Sequence, residues 1–302
     1  MKPQLIALGA ICSTTIFKVD NIPEAPAKVL ANDMRRIVDG MAISAACAFQ
    51  KLGGQASVWA RVGDDPEAHT MRHTLADEGL DVSGLHTLPN THSSQASVII
   101  DQHGQRLVVP FHDPHVSQDS SWLPIDQLKH AGMLHCDVRW VEGAKHALTA
   151  ARAMGTPTMV DGDVAPLHIL QQLMPLADYA VFSDAGLLAY TGLQDVKQAL
   201  LQVASQHKAQ SRHVGASCGA EGYWWVEDEQ LQHVPAPQVQ VVDTLAAGDV
   251  FHGAFALALL EGKPVRQAAQ FACVAASLKC TQFGGRLGCP TRAEVEAYLQ
   301  AS

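Results

Sequence analysis

The chain has 302 residues, enough for one large α/β domain or two small domains. Hydrophobic residues make up 47% and charged residues 17%, which is typical of a folded chain with a core and not of a disordered one. The formal net charge is −9, from 21 basic and 30 acidic residues, and no basic cluster is available for phosphate contacts, so nucleic acid is excluded as the main partner.

Cysteine usage and hydropathy predict a cytoplasmic protein. The seven cysteines are irregularly spaced and include no C-x-x-C pair, which argues against a disulfide framework or a zinc site. The apolar run at residues 5–11 is at the lower limit for a signal peptide, and we interpret it as a first buried strand. No stretch reaches the ~18 apolar residues of a membrane helix, so no membrane partner is predicted.

Strand-like and helix-like segments alternate along the chain, which predicts an α/β fold with a mainly parallel sheet covered by helices on both faces. In chain order, the predicted strands are 4–9, 57–62, 133–136, 158–160, 180–183, 212–217 and 239–242. The predicted helices are 42–52, 67–78, 143–154, 196–206, 249–260, 265–279 and 291–300. Two stretches break the alternation. Residues 16–37 lack helical periodicity, and residues 95–111 have the pattern of a β-hairpin. With no linker or repeat in view, we predict a single domain over residues 1–302.

The most informative segment is Asp-Thr-Leu-Ala-Ala-Gly-Asp at residues 243–249, where a strand-like run meets an apolar helix. Small residues allow backbone N–H groups to crowd around a ligand, and the start of a helix adds partial positive charge, so the segment predicts a cradle for an anion. Asp249 then lies in the first helical turn. It is either an ordinary helix-start residue or a general base beside a transferring phosphate.

This segment resembles the D-T-x-G-A-G-D motif of the PfkB/ribokinase family of carbohydrate kinases, with Ala246 in place of the first glycine. Residues 39–54 and 61–65 resemble the N-terminal motif of the family, so the similarity covers the whole chain. Within the family, sulfofructose kinases are the most similar group that we can name. That similarity lies in Asp-Val-Arg-Trp at 137–140, Asp-Gly-Asp at 161–163, and residues 250–254, 278–281 and 284–286.

The resemblance implies a ribokinase-like three-layer α/β/α sandwich with a small β-sheet lid over the sugar. The lid segments would be about 12–37 and 95–111. It implies a phosphotransferase with an alcohol group as acceptor, a small-molecule sugar substrate, ATP and Mg²⁺ as cofactors, and a homodimer formed through the lid. The sequence leaves open whether K⁺ is also required.

For the chemistry, the resemblance implies that the N–H groups of Ala246, Ala247 and Gly248 form the anion hole and that Asp249 accepts the proton of a sugar hydroxyl. If residue 246 has a positive φ, alanine there stores strain of about 1 kcal/mol, and we expect near-native activity all the same. The residues implied for the nucleotide are Ser217, Gly219, Gly222, Asp243, Thr244 and Cys273. For Cys273, a plain buried helix position is an equally good interpretation.

The N-x-x-E motif that organises Mg²⁺ in the family is altered, because Ser183 and Gly186 stand at its key positions. We therefore expect Asp184, or the pair Asp161 and Asp163, to hold a water-coordinated Mg²⁺. The alternative is that these carboxylates are solvated loop residues.

The predicted sugar-binding positions depart most from the family. Thr14, Asp39, Gly40 and Ser44 stand where relatives carry the groups that bind ordinary sugar hydroxyls. Because polar recognition sites are built residue by residue, these changes argue against a plain ribokinase or fructokinase.

Arg139 and Lys28 match positions that look like sulfonate receptors in sulfofructose kinases, although Pro110 stands where that group has asparagine. They favour an anionic ketose such as 6-deoxy-6-sulfofructose. The alternatives are a kinase for a neutral sugar or a sugar phosphate (fructose, ribose, or a fructose or tagatose phosphate) and a catalytically weak sugar or nucleotide sensor.

Overall fold

The structure is a computed structural model, and it describes residues 2–301. Its strands are β1 (Gln4–Leu8), β2 (Cys12–Lys18), β3 (Asp33–Asp39), β4 (Gln55–Val62), β5 (Leu85–Thr87), β6 (Gln95–Ile100), β7 (Arg106–Phe111), β8 (Met133–Cys136), β9 (Thr158–Gly162), β10 (Tyr179–Ser183), β11 (His213–Ser217), β12 (Tyr223–Glu227) and β13 (Gln230–Val234). Its α-helices are α1 (Met41–Lys51), α2 (Pro66–Asp77), α3 (Val141–Met154), α4 (Leu167–Leu173), α5 (Asp184–Thr191), α6 (Val196–Gln206), α7 (Ala247–Leu260), α8 (Val265–Lys279) and α9 (Arg292–Ala301).

Nine strands form one sheet in the order β13-β12-β11-β10-β9-β8-β1-β4-β5. All neighbours from β11 to β5 are parallel, and the β12–β13 hairpin closes one edge in antiparallel fashion. Parallel strands all end at the same edge of a sheet, which is where α/β proteins place their ligands. The predicted alternation and the mainly parallel sheet are therefore confirmed.

Two helical layers cover this sheet, as the period-two pattern of its strands requires. In β1, Leu5 and Ala7 pack into a core with α1, α2, α7, α8 and α9. Ile6 and Leu8 point the other way, into a core with α3 to α6. The predicted three-layer α/β/α sandwich is confirmed. Among residues 2–301, no helix has the length and apolar character needed to cross a bilayer.

The predicted lid is a separate four-stranded sheet in the order β3-β2-β6-β7. Its buried inner face consists of Ile16, Ile37, Val98 and Ile100. These side chains pack against Leu245 and Phe283. Leu245 belongs to the 243–249 segment, so the lid is seated directly on the motif that the sequence singles out.

The structure corrects the predicted strand at 239–242, because this segment has no regular secondary structure. The strand β13 ends at Val234, directly before Pro235, and Pro235 and Pro237 lack the N–H groups needed to continue its pairing toward this segment. The N–H groups of Val242 and Asp243 instead donate to the carbonyl oxygen of Cys280 at the end of α8. The apolar alternation there reflects a cavity wall and not a strand, since Val241 is 54% exposed and lines a cavity.

Candidate active site

The loop before α7 is organised by the carboxylate of Asp243, which is fully buried. Its Oδ1 accepts the N–H of Leu245 at 2.7 Å, and its Oδ2 accepts the N–H groups of Gly284 and Gly285 at 3.0 and 2.8 Å. A carboxylate with three backbone donors is a strong local tether. Asp243, predicted to bind the cofactor, thus lies behind the loop and fixes its shape.

The loop enters α7 through a left-handed residue, Ala246, with φ +64°. The N–H of Ala247 donates to the carbonyl oxygen of Thr244 at 3.2 Å. The N–H groups of Ala246, Gly248 and Asp249 have no acceptor within residues 2–301. Unpaired donors at a helix start are suited to an anion, since the helix dipole adds to them. This set of free N–H groups differs from the predicted one by a single member: the N–H of Asp249 takes the place of that of Ala247, which is used within the loop.

Asp249 lies in the first turn of α7, half-buried, and its carboxylate makes no hydrogen bond to residues 2–301. Burial raises its pKa well above the usual value, and the negative charges of Asp161, Asp39, Asp163 and Asp137 raise it further. A carboxylate with a raised pKa is a stronger base than an exposed one. The arrangement can therefore accept a proton from a hydroxyl group placed next to the loop.

A cavity of about 470 Å³ adjoins the loop. Five of the residues predicted for the nucleotide line it: Ser217, Gly219, Gly222, Thr244 and Cys273. Apolar side chains from three segments form part of its wall: Val239, Val241, Phe251 and Ala276. A mostly apolar cleft with a few polar groups next to an anion cradle has the character of a nucleotide pocket.

The sequence analysis did not identify two residues that line or support this region. Arg106, at the start of β7, is the one basic side chain lining the cavity within residues 2–301. Alternate side chains of a strand point to opposite faces of the sheet. The inward orientation of Arg106 therefore follows from the hairpin pattern once the register of the two strands is known. His252, one turn into α7, places Nδ1 2.9 Å from the carbonyl oxygen of Gly248.

The predicted sugar-binding residues meet where the lid joins the main sheet. Thr14 is buried on β2 opposite Ile37, and Asp39 ends β3. The hydroxyl of Ser44 donates to Oδ1 of Asp39 at 2.5 Å. Gly40, at the start of α1, has φ +127°, and a Cβ there would meet the carbonyl oxygen of Ala10 at 2.1 Å. Only glycine fits at this position, and the tight turn that it allows brings Asp39 and Ser44 together.

Comparisons with known proteins agree with this geometry. A sequence model of the pfkB family carbohydrate kinases matches residues 2–292. The chain belongs to this family.

Ribokinase of Haemophilus influenzae is 24% identical, with 99% of each chain covered. Fructokinase of Vibrio alginolyticus is 27% identical, covering 93% of this chain and 96% of its own. A solved structure from Agrobacterium tumefaciens with a provisional ribokinase assignment superposes with a TM-score of 0.96 at 39% identity, covering 100% of this chain and 98% of its own. Arabidopsis thaliana ribokinase, solved with ribose and ATP, has the same fold, with a TM-score of 0.83, 23% identity and 100% of both chains covered. The protein is an ATP-dependent carbohydrate kinase, a phosphotransferase with an alcohol acceptor.

In this kinase the predicted anion receptors occupy different settings. Arg139 is 41% exposed, and its guanidinium donates to the carbonyl oxygen of Val164 at 2.9 Å and to Oδ2 of Asp163 at 3.1 Å. Lys28 lies exposed in the segment between β2 and β3 and has no charged partner within residues 2–301. The structure therefore gives Arg139 a fixed orientation and leaves Lys28 free.

Asp137, in the same stretch as Arg139, is fully buried and has a structural part. Its carboxylate accepts the N–H groups of Ala10 at 3.0 Å, Arg139 at 2.8 Å and Ala42 at 3.4 Å. Burial raises its pKa. It ties the ends of β1 and β8 to the start of α1, which positions Arg139.

The three predicted metal carboxylates are held apart by other partners. Asp161 is buried and lies 3.6 Å from Nδ1 of His252, and burial raises its pKa to about 6. Asp163 accepts from Arg139 and from the hydroxyl of Ser183 at 3.0 Å. Asp184 is exposed at the start of α5 and lines the 470 Å³ cavity. Within residues 2–301, no three His, Cys, Asp or Glu side chains cluster as metal ligands. These residues fit a water-coordinated Mg²⁺ beside Asp184 and no direct cage.

Proposed function

We propose that this kinase transfers the γ-phosphoryl group of ATP to a hydroxyl of a ketose, with Asp249 as the general base. The observation that carries the proposal is the half-buried carboxylate of Asp249, which lies beside the N–H groups of Ala246, Gly248 and Asp249 at the start of α7; within residues 2–301, neither the carboxylate nor these N–H groups have a hydrogen-bond partner. The N–H groups would hold the developing charge on the phosphoryl group, and Asp249 would take the proton of the attacking hydroxyl.

ATP would occupy the 470 Å³ cavity, with its base between the apolar walls and its phosphates at the loop. Arg106 supplies positive charge at the same cavity, as a triphosphate requires. A magnesium ion bound with ATP would be held by phosphates and water beside Asp184 and would neutralise phosphate charge.

For the acceptor, the favoured substrate is an anionic ketose such as 6-deoxy-6-sulfofructose. Arg139 lies beside the acidic cluster: burial raises the pKa of Asp137 and Asp161, and the positive charge of Arg139 opposes that rise at both carboxylates. Its planar fork, fixed by Val164 and Asp163, suits a tetrahedral anion. Lys28, which has no charged partner within residues 2–301, would add a second charge when the lid covers the sugar.

A specific observation also favours a neutral ketose or pentose. Asp163 already pairs with Arg139, and Asp39, Asp161 and Asp249 surround the same region. Carboxylates bind sugar hydroxyls well and repel anions. The relatives include ribokinases and a fructokinase, which act on neutral sugars by name.

A coupled ADP-release assay over a panel of anionic and neutral ketoses and pentoses decides between these acceptors. The proposal predicts the highest kcat/KM for an anionic ketose. If fructose or ribose exceeds every anionic sugar, the neutral alternative is correct. If no sugar releases ADP above the background hydrolysis of ATP, the proposed function is wrong.

We also propose that two copies pair through the lid. Leu107, Ile99, Phe17 and Met34 lie side by side across its four strands, on the face opposite the core. Val109, on the same face of the edge strand β7, is 57% exposed. An exposed apolar face of this kind is typical of a surface that packs against the sheet of a second copy. Analytical ultracentrifugation should show a dimer that Val109→Glu converts to a monomer. A wild-type monomer at micromolar concentration would contradict the pairing.

A further inference from the structure

Lys279 has a setting that none of the proposed chemistry uses. It is the last residue of α8, and its side chain is fully buried. Its ammonium nitrogen donates to the carbonyl oxygen of Asp243 at 2.6 Å and lies 3.6 Å from Oδ1 of the same residue. A buried lysine normally loses its charge, and burial does lower the pKa of Lys279, while Asp243 opposes that change. The nitrogen therefore stands directly behind the first residue of the catalytic loop.

The contact couples α8 to the shape of the loop. The carbonyl oxygen of Cys280 accepts the N–H groups of Val242 and Asp243, so the end of α8 and the start of the loop are joined by backbone as well as by Lys279. The same Asp243 carboxylate accepts the N–H of Leu245, three residues before Gly248, whose N–H has no acceptor within residues 2–301. Any shift of Asp243 would therefore turn the donors that face the phosphate.

The pair also balances charge. Asp243 is fully buried, and a buried carboxylate without a cation would be unfavourable even with three N–H donors. The ammonium group of Lys279 supplies a positive charge at this place. An ammonium group carries the same charge as K⁺ and donates hydrogen bonds to carbonyl and carboxylate oxygens, the same kinds of atom that coordinate K⁺.

We propose that Lys279 is a built-in monovalent cation that holds the phosphate-binding loop in its active shape, so that this kinase needs no K⁺. The ammonium nitrogen already engages two oxygens of Asp243 that a monovalent cation at this place could otherwise coordinate. Lys279 is a positioning residue in this scheme. The inference rests on the proposed function for its kinetic consequence, although its effect on ATP binding does not depend on turnover.

The first test uses the wild-type protein. ATP affinity by calorimetry and, with the best ketose, kcat are measured with Mg²⁺ in tetramethylammonium buffer and again with added K⁺ or Na⁺. Both quantities should change by less than about twofold between these salts. A rise of about tenfold or more with K⁺, in either quantity, overturns the inference. Unchanged ATP affinity without turnover of any sugar supports it and contradicts the proposed acceptor chemistry instead.

The second test uses two variants. Lys279→Ala removes the charge and leaves space beside Asp243, whereas Lys279→Met removes the charge and fills the space. Both should lower ATP affinity by about tenfold or more. Added K⁺ or methylammonium should restore the alanine variant to within about threefold of wild type and leave the methionine variant unchanged.

The matched control is Lys145→Ala, which removes an exposed lysine paired with Glu142 on α3 and should leave ATP affinity and its salt response unchanged. A Lys279→Met variant with wild-type ATP affinity would overturn the inference. Circular dichroism checks the fold, and if both Lys279 variants unfold, the salt series on the wild-type protein decides.

Discussion

Nδ1 of His252 lies 3.6 Å from Oδ2 of Asp161, and both side chains are buried. The same nitrogen is 2.9 Å from the carbonyl oxygen of Gly248, in the first turn of α7. His252 therefore links the end of β9 to the helix that presents the anion-binding N–H groups. After burial, the negative charge of Asp161 makes the largest contribution to the raised pKa of Asp249.

The Asp161 pair predicts a pH-dependent stability. Burial raises the pKa of Asp161 to about 6, above its value of 3.8 in an unfolded chain. The folded state thus binds the proton more tightly, so the contribution of Asp161 is most favourable below pH 3.8 and is lost as the pH rises through about 6. The Asp161→Asn variant has no carboxyl group to ionise at this position, so it does not undergo this loss of stability. Its stability relative to wild type should increase by about 2 kcal/mol between about pH 4.5 and about pH 7.5.

Urea unfolding of both proteins at the two pH values measures this difference. Asp228→Asn, at an exposed hairpin turn, is the control and should show no such trend. A relative stability of Asp161→Asn that stays constant or falls with pH would contradict the assignment.

Ala246→Gly should stabilise the protein. Ala246 has φ +64°, a conformation that glycine adopts without steric cost, so the substitution should raise the free energy of unfolding by up to about 1 kcal/mol. Gly192→Ala is the reciprocal control, because Gly192 has φ +73° at the end of α5 and open space around a new Cβ. It should lower stability by a similar amount. A destabilised Ala246→Gly variant would show that the methyl group has a packing role.

Arg106→Gln should weaken ATP binding without changing the sugar KM. Arg106 is the basic group on the cavity wall, and loss of a charged contact to a phosphate is expected to raise the KM for ATP by about tenfold. Steady-state kinetics with varied ATP measures this. The control is Arg152→Gln. Arg152 lies near the end of α3, and its guanidinium donates to the carbonyl oxygens of Pro175 and Gln210, so the KM for ATP should stay unchanged. An unaffected Arg106→Gln variant would place the triphosphate elsewhere.

Arg139→Ala should discriminate between acceptors. If the substrate is an anionic ketose, its KM should rise by about tenfold or more, with kcat for a neutral ketose little changed. If the two sugars suffer equally, the pairing of Arg139 with Asp163 and Val164 is structural, and the neutral acceptor is favoured. Lys28→Ala, in the same assay, tests the second charge independently.

The sequence predicted those parts of the site that depend on local pattern. The small residues at 246–248 and the apolar run after them specify a tight loop entering a helix, which the structure shows at α7. The first strand and the helix at 265–279 were equally visible. Each of these features is encoded by neighbours along the chain.

Features that depend on distant partners were not visible. Asp243 looked like a ligand because its partners, Gly284 and Gly285, lie 41 and 42 residues away. Lys279 ends the predicted helix at 265–279, and nothing in the local pattern there indicates that folding buries it completely. The β12–β13 hairpin was missed because Asp228 and Glu229 adopt positive φ at its turn without any glycine to signal it.

The most direct test is the kcat of Asp249→Asn, measured by ADP release with the best ketose from the substrate panel. The substitution keeps the shape of the side chain and removes its ability to take a proton. We predict that kcat falls by about 10³-fold, while ATP affinity by calorimetry and the thermal midpoint stay near wild type. A kcat within about tenfold of wild type would contradict the assignment of Asp249 as the base.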